Sequence, residues 1–323
     1  MVCRHRSLRE SPKGVTLIEV LVSLSIVAIL LAILTPAVQT AREVSRNTTC
    51  RSHLRQVMMA TENYHSDWSS YAGRVGLGGL PTFARLLPYV DARPLYDDLV
   101  AWHASPGPMV PASLNRWSGP AVYRCPTSGD CHNFVVNTGA GTGVVDGEWE
   151  IRFNGFCCGD GNSNVRSGDL VDGLSQTVAY SEALDGEVLA WDEATEQTLP
   201  PRSLKRVSWG VSPMYPRPFS APQIAGRCLN TQFRPDDSWA GANFGPVYSR
   251  ELYDHFAPPN SHDCHEVTGD GAYTTFTKAA TSEHSGHVNV AFADGHVRAV
   301  VDVIDLAVWH ALGTRDGHER VGF

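Results

Sequence analysis

An apolar segment close to the N-terminus constrains this chain more than any other feature. Residues 15–38 have the sequence VTLIEVLVSLSIVAILLAILTPAV, and the run from Val20 to Leu34 is interrupted only by Ser23 and Ser25. A helix rises about 1.5 Å per residue, so this segment would extend roughly 36 Å and exceed the ~30 Å hydrocarbon core of a bilayer. The segment therefore predicts a membrane-spanning helix over about residues 15–38.

Glu19 is an acidic residue inside this apolar segment, with no Lys or Arg beside it. A charged side chain at the centre of a membrane helix costs about 2.5–3.5 kcal/mol on insertion scales, so Glu19 calls for a partner. Residues 1–14 are basic, as expected of a cytoplasmic flank. The basic residues are Arg4, Arg6, Arg9 and Lys13, against the single acidic Glu10.

Three interpretations of the N-terminus compete: a secretory signal cut after the apolar run, an uncleaved signal anchor, and a signal cut before the run. Thr35-Pro36-Ala37 is a poor secretory cleavage site, and a plain anchor leaves Glu19 unexplained. Cleavage after Gly14 would give a neighbouring chain a new amine that can pair with Glu19. We therefore favour the third interpretation.

Residues Gly14-Val15-Thr16-Leu17-Ile18-Glu19 resemble the signal of type IV pilins and type II secretion pseudopilins, with Val15 in place of the usual Phe. The resemblance implies that a prepilin peptidase cuts after Gly14 and that Val15 is N-methylated. It also implies that Glu19 pairs with another subunit's amine during assembly. Pro36 lies where pilin helices often carry a kinking proline, which fits its missing backbone donor.

Beyond Pro36, helical spacing of apolar residues predicts an amphipathic continuation of the helix that ends between His65 and Ser70, before a Gly-rich run. The predicted apolar stripe consists of Val38, Ala41, Val44, Leu54, Val57, Met58, Thr61 and Tyr64.

The rest of the chain alternates short apolar pieces with Gly, Pro, Asn and Asp clusters, which is typical of a mainly β domain. Residues 288–301 predict a hairpin with Asp294-Gly295 as a two-residue turn, pairing Phe292 with Val297. In that register, all the side chains on one face of the hairpin are apolar. We predict an α+β, pilin-like fold in which a long N-terminal helix packs on a mainly antiparallel β domain with long loops.

The chain as a whole is similar to the DUF1559 family, pilin-signal proteins of unknown function that end in an H-x9-D-G motif, here His284 with Asp294 and Gly295. The resemblance implies a leader at 1–14, a pilin-like helix at 15–70 and an exported domain at 71–323. Other matching stretches are Pro36-Ala37-Val38-Gln39, Ala41-Arg42-Glu43, Cys50, Asn63-Tyr64-His65, Leu87-Pro88-Tyr89, Arg124-Cys125-Pro126, Asp172-Gly173-Leu174-Ser175, Ser181-Glu182, Pro258-Pro259-Asn260-Ser261, Cys264 and Ala311-Leu312-Gly313-Thr314.

The chain contains eight cysteines, and one of them, Cys3, lies in the leader. Cysteines of an exported domain are expected to form disulfides. Seven cysteines remain outside the leader, and this odd number leaves one of them without a partner within the chain. Cys125 and Cys131 are close enough to close a loop, and Cys228 and Cys264 are further candidates. The vicinal pair at 157–158 would seek separate partners.

Three patterns suggest chemistry, and each has a simpler explanation. Residues 160–164 begin like a calcium loop but lack its Gly and its final Glu. His255, His262, Cys264 and His265 contain zinc-type donors at a non-standard spacing. The histidines at 284, 287 and 296 surround one hairpin without a catalytic frame, and we expect a structural role for His284 near the turn. We predict no catalytic residue, no metal, no cofactor and no enzyme activity.

A net charge of −8, with basic residues gathered in the leader, argues against nucleic acid as a partner. We predict a single-pass protein of the inner membrane with a periplasmic or extracellular C-terminal domain. Its partners would be prepilin peptidase and other pilin-like subunits or a type II secretion machinery. The alternative is a membrane-anchored protein that binds a solute or glycan, because DUF1559 has been described in solute-binding terms. Six tryptophans would suit sugar stacking, namely Trp102, Trp117, Trp149, Trp191, Trp209 and Trp239.

Overall fold

A single long helix, α1 (Leu17–Trp68), contains the predicted membrane segment and ends within the predicted range of residues 65–70. Its 52 residues correspond to a length of about 78 Å. The structure is a computed structural model. It describes residues 16–73, 80–104, 119–128, 132–145, 148–157, 164–184, 191–192, 197–198, 208–211, 223, 226, 251–267 and 273–319.

The chain divides into two units at residues 45 and 46. The first unit, residues 1–45, contains the apolar part of α1, whose large hydrophobic side chains are exposed. The second unit, residues 46–323, contains the rest of α1 and all the strands.

Within the second unit, one face of α1 is buried. The buried residues recur every three or four positions, as expected of a helix that packs along one stripe, and they are Cys50, Leu54, Val57, Met58, Ala60, Thr61 and Tyr64. The predicted stripe is therefore confirmed from Leu54 onward. It is wrong for Val38, Ala41 and Val44, which belong to the first unit and are exposed.

A five-stranded mixed sheet forms the centre of the second unit, in the order β12-β11-β4-β1-β8. Its strands are β1 (Phe134–Asn137), β4 (Val178–Glu182), β8 (Leu252–Tyr253), β11 (His287–Phe292) and β12 (Val297–Val301). Only the β1–β8 pair is parallel among these neighbours. The architecture is α+β, as predicted.

Both faces of this sheet are covered. On one face, Phe134, Val136 and Tyr180 belong to the same apolar cluster as the buried stripe of α1. On the other face, Val288 and Val290 cluster with residues of α4 (Leu306–Gly313). Asp305 caps α4, because its side chain accepts hydrogen bonds from the backbone amides of residues 307 and 308.

The hairpin of β11 and β12 exists, but its register differs by one residue from the predicted one. Ala291 pairs with Val297, whereas the prediction paired Phe292 with that residue. Residues 293–295 form a three-residue loop in which Gly295 has φ +90°, the pattern of a type I turn followed by a glycine bulge. The prediction of one wholly apolar face also fails, because in this register Val290 pairs with Arg298.

Shorter elements complete the second unit. The helices are α2 (Thr82–Leu86) and α3 (Arg93–Ala104), with 3-10 turns at Leu87–Tyr89, Ala121–Tyr123 and Ser167–Asp169. A three-stranded sheet has the order β10-β9-β7 and contains β7 (Ser208–Val211), β9 (Asp263–Val267) and β10 (Tyr273–Thr277). Two hairpins pair β2 (Gly141–Val145) with β3 (Glu148–Arg152) and β5 (Trp191–Asp192) with β6 (Gln197–Thr198).

Candidate functional site

The first turn of α1 contains two of the residues that the sequence singled out. The backbone N–H and the hydroxyl of Thr16 both donate to Oε2 of Glu19, each at 2.8 Å. The backbone N–H of Glu19 in turn donates to the Thr16 hydroxyl at 3.4 Å. This reciprocal arrangement is a capping box, which satisfies backbone donors that a helix start leaves unpaired. Glu19 therefore has a partner within its own chain.

The apolar part of α1 is long and apolar enough to cross a membrane, judged by length and composition. Its hydroxyl side chains are satisfied within the helix. Ser23, Ser25 and Thr35 each donate to the carbonyl four residues earlier, at 2.7 Å. Such bonds remove the cost of carrying a free hydroxyl into lipid. The predicted processing residues Gly14 and Val15 lie outside the described residues.

A second feature lies in the other unit, where four chemically active side chains meet in the core. Cys50 is on the buried face of α1, and Cys125 follows the 3-10 turn at residues 121–123. Glu182 ends β4, and His284 precedes β11. All four side chains are buried, with exposures between 0% and 4%. We call this group the Cys-Glu-His cluster.

The donor atoms of the Cys-Glu-His cluster all lie within 4.8 Å of one another. Nε2 of His284 is 3.4 Å from the sulfur of Cys125 and 3.8 Å from Oε1 of Glu182. The Cys50 thiol donates a hydrogen bond to the same Oε1. Two sulfurs, one imidazole nitrogen and one carboxylate oxygen thus surround a single point.

The two thiols of the cluster differ electrostatically. The neighbouring Cys50 side chain lowers the pKa of Cys125 to about 5, assisted by His284 and opposed by burial. Burial raises the pKa of Cys50, and its bonded neighbours Cys125 and Glu182 raise it further. Burial also raises the pKa of Glu182. Cys125 is therefore the sulfur that loses its proton most readily.

Polar side chains around the cluster fix its members in place. The Asn289 side-chain amide donates to Oε1 of Glu182 at 2.9 Å and to Oδ1 of Asn47 at 2.8 Å. Oδ1 of Asn133 accepts the backbone N–H of Cys125 at 3.0 Å. Ser282 contributes a hydrogen bond to Glu182. The carboxylate is therefore oriented by neighbours from both β11 and the loop before it.

Comparisons with family models match two parts of the chain. The family described as "Protein of unknown function (DUF1559)" matches residues 39–307, which is most of the chain. The chain belongs to the DUF1559 family. A second model, the prokaryotic N-terminal methylation motif, matches residues 11–35. No curated protein and no solved structure matches the chain.

These matches confirm the predicted family and the pilin-type signal. Together with the apolar helix α1, they identify this DUF1559 chain as a pilin-like, membrane-anchored protein related to type IV pili or secretion. The methylation motif implies processing by a prepilin peptidase.

The predicted disulfides are partly contradicted. Cys125 is a free thiol whose sulfur belongs to the Cys-Glu-His cluster, so the predicted use of this residue in a disulfide is wrong. Cys264 is disulfide-bonded, as is Cys157. Cys131 and Cys228 lie outside the described residues, and so does Cys158.

Two of the zinc donors considered around residue 262 are engaged in other interactions. Cys264 is disulfide-bonded and cannot offer a thiolate. His255 is buried against Trp309, and both of its ring nitrogens are engaged, by the Trp309 carbonyl at 2.7 Å and the Tyr253 hydroxyl at 2.9 Å. Most of the candidate calcium loop, residues 160–163, lies outside the described residues.

The residues of the H-x9-D-G pattern lie in two different parts of the structure. Asp294 accepts from the backbone and ring of His296, with the ring contact at 2.5 Å, and Gly295 provides the turn. His284 instead joins the Cys-Glu-His cluster and stacks on His287, with ring centroids 5.4 Å apart. The expectation that His284 serves the turn is therefore wrong.

Sequence reasoning missed the Cys-Glu-His cluster as a site. Its four members are separated by as much as 234 positions in the chain, so no local spacing connects them. A signal was nevertheless present, since Cys50, Cys125, Glu182 and His284 each lie within a stretch that resembles DUF1559. Those stretches also contain other metal-type donors, such as Glu43, His65 and Cys264, so the resemblance alone does not single out these four residues.

Proposed function

We propose that this protein is a pilin-like subunit of the cell envelope, processed after Gly14 and assembled or anchored through α1. The single observation that carries the proposal is the match of residues 11–35 to the N-terminal methylation motif. In this proposal, a prepilin peptidase removes residues 1–14 and Val15 becomes the methylated N-terminus. The mature helix then joins other pilin-like subunits of a type II secretion or type IV pilus-like system.

Charge and cysteine chemistry support a proposed orientation. The basic leader favours the cytoplasmic side of the inner membrane, which supports a C-terminal unit in the periplasm or outside the cell. Disulfides at Cys157 and Cys264 fit that location, because disulfides persist in oxidising compartments.

The first turn of α1 supports a double role for Glu19. One carboxylate oxygen, Oε2, receives both bonds from Thr16. Among the described residues this leaves Oε1 available to a second donor. In a pilin-like assembly, the N-terminal amine of a neighbouring subunit would reach the same depth in the membrane as Glu19 and would act as this second donor. Glu19 would then cap its own helix and bind the next chain at the same time.

The function of the second unit is a separate question, and we propose that it is not enzymatic. The alternative function is capture of a solute or glycan by a membrane-anchored protein. Tryptophans suited to sugar stacking would support that alternative beside the solute-binding description of DUF1559, and Trp102 is the one of the six whose side chain the structure describes. It is partly buried against the core, which favours a packing role.

Processing can be tested directly on the mature protein. Mass spectrometry and N-terminal sequencing of the membrane-extracted chain should give methylated Val15 as the first residue. In cells that lack prepilin peptidase, the chain should keep residues 1–14. An intact Met1 in wild-type cells, or a start beyond Ala37, would contradict the proposal.

Glu19 can be tested with two substitutions that separate its roles. Glu19→Gln keeps a side chain that a capping box accepts but removes the charge, whereas Glu19→Ala removes both. If pairing with an amine drives assembly, both variants should be cleaved normally and both should lose subunit cross-linking within the membrane.

The outcome that would contradict amine pairing is normal cross-linking in Glu19→Gln with a defect confined to Glu19→Ala. That pattern would assign Glu19 to helix capping, whose loss typically costs about 1 kcal/mol. Ser23→Ala serves as a matched control, because Ser23 lies one turn further along and bonds only within its own helix.

A further inference from the structure

We propose that Cys50, Cys125, Glu182 and His284 together bind one divalent transition-metal ion, and that this ion is zinc. The site is built from four separate segments of the second unit and shares no residue with the processing signal. This zinc site does not depend on pilin-like assembly, and it would give the second unit a bound metal ion.

The spacing of the donor atoms fits a tetrahedral ion. Zinc binds sulfur at about 2.3 Å and nitrogen or oxygen at about 2.0–2.2 Å, so neighbouring ligand atoms in a tetrahedron lie roughly 3.3–3.8 Å apart. The distances from Nε2 of His284 are 3.4 Å to Cys125 and 3.8 Å to Glu182. The Cys50 thiol donates its proton to Glu182. An ion bound by both residues would take the place of that proton.

The chemical types of the donor atoms favour zinc over other divalent ions. Two thiolates and an imidazole are soft or borderline ligands, which bind zinc far better than calcium or magnesium. A carboxylate completes the set and is also a zinc ligand. All four residues are almost fully buried, so the site has the closed character of a structural zinc centre.

Charge balance points the same way. Hydrogen bonds from Cys50, Asn289 and Ser282 satisfy the oxygens of the buried Glu182 carboxylate, and a nearby positive charge would stabilise its charged form further. Its ion-pair partner, His284, carries a positive charge only when protonated. A divalent ion would supply two positive charges at the point where the thiolates and the carboxylate converge.

The surroundings resemble the outer shell of a metal centre. Ligating carboxylates are usually held by further hydrogen bonds, and Asn289 holds Glu182 in this way at 2.9 Å. The backbone of Cys125 is held by Asn133. With its ligands so placed, the ion would join α1 to the central sheet and to the loops beside it.

A disulfide between Cys50 and Cys125 is the competing use of the two thiols in an exported protein. The two hypotheses differ in what they predict for the purified protein. A zinc site gives one metal ion and two thiols that become reactive once the ion is removed. A disulfide gives neither.

The experiment uses the full chain, purified in detergent without added metal or chelator. Elemental analysis should find one zinc ion per chain, and cobalt substitution should give the visible absorption of tetrahedral thiolate coordination. Cys50→Ser, Cys125→Ser, Glu182→Gln and His284→Gln should each lose most of the bound zinc. His296→Gln is the matched control: it alters the turn at the far end of the same hairpin and should keep a full equivalent.

Because loss of a buried ligand can also prevent folding, a second measurement uses the wild-type chain alone. Stripping with a strong chelator should lower the thermal unfolding midpoint, and stoichiometric zinc should restore it. The proposal is overturned if the wild-type chain contains no zinc and does not bind added zinc or cobalt. It is also overturned if mass spectrometry finds Cys50 and Cys125 joined in a disulfide, or if the four variants retain as much zinc as the control.

Discussion

At the scale of single residues, Glu251 shows how a buried carboxylate is tolerated in this fold. Its side chain accepts hydrogen bonds from the backbone of Thr82 and from the backbone N–H of Phe83 at 3.4 Å, in the first turn of α2. Burial nevertheless dominates and raises the pKa of Glu251 from 4.5 to about 8. The folded state therefore holds this proton more tightly than the unfolded state does.

This shift predicts a pH dependence of stability. The contribution of the Glu251 proton is fully present below about pH 4.5 and is lost as the pH rises toward about 8. Over that window the free energy of unfolding should fall by as much as about 1.4 kcal/mol per pH unit. Glu251→Gln keeps an oxygen acceptor but cannot ionise, so it should be more stable than the wild type at pH 8 and about equally stable at pH 4.

Denaturant unfolding at a series of pH values checks this prediction. Glu62→Gln is the matched control, because it makes the same substitution at an exposed carboxylate on α1. Identical profiles for Glu251→Gln and the wild type would show that Glu251 does not titrate in this range.

At the scale of elements, the packing of α4 depends on a close approach to His255. A Cβ atom on Gly313 would lie 2.4 Å from Cγ of His255. The imidazole cannot retreat, since it stacks on Trp309 at 3.8 Å and is hydrogen-bonded through both nitrogens. The carbonyl of Gly313 also accepts from Asn137 of β1 at 2.8 Å, which fixes the end of the helix against the sheet.

Gly313→Ala should therefore be destabilising, by about 1–3 kcal/mol or more, because overpacking forces the backbone to shift. Gly168→Ala is a matched control: Gly168 lies in a short helical turn, and a Cβ atom added there would have no described atom within 4 Å, so the change should affect stability little. Thermal or denaturant unfolding of both variants measures the difference. Equal stabilities would show that α4 can move away from His255.

At the scale of the whole molecule, the two units carry different parts of the function. Residues 1–45 contain the processing signal and the apolar helix, whose exposed side chains suit lipid or neighbouring helices. Residues 46–323 form the DUF1559 core, in which the Cys-Glu-His cluster is the strongest candidate for specific chemistry. Membrane anchoring and the function of the second unit can therefore be studied with separate variants of the same chain.

The sequence alone determined the parts of this protein that depend on local order. The apolar run, Glu19 and the basic leader lie within 38 residues, so their spacing could be interpreted directly as a pilin-type signal and a long helix. The α+β class and the existence of the last hairpin also followed from local periodicity. Its register did not, because Gly295 adds a bulge and β11 is covered on both faces.

Only the tertiary structure decided which distant residues meet. Folding brings Cys50 on α1 beside Cys125, Glu182 and His284, whereas the sequence suggested a disulfide at Cys125 and a turn partner at His284. The physical reason is that a donor set is defined by distances of a few ångströms between atoms. Positions far apart in the chain do not reveal those distances until the helix has packed on the sheet.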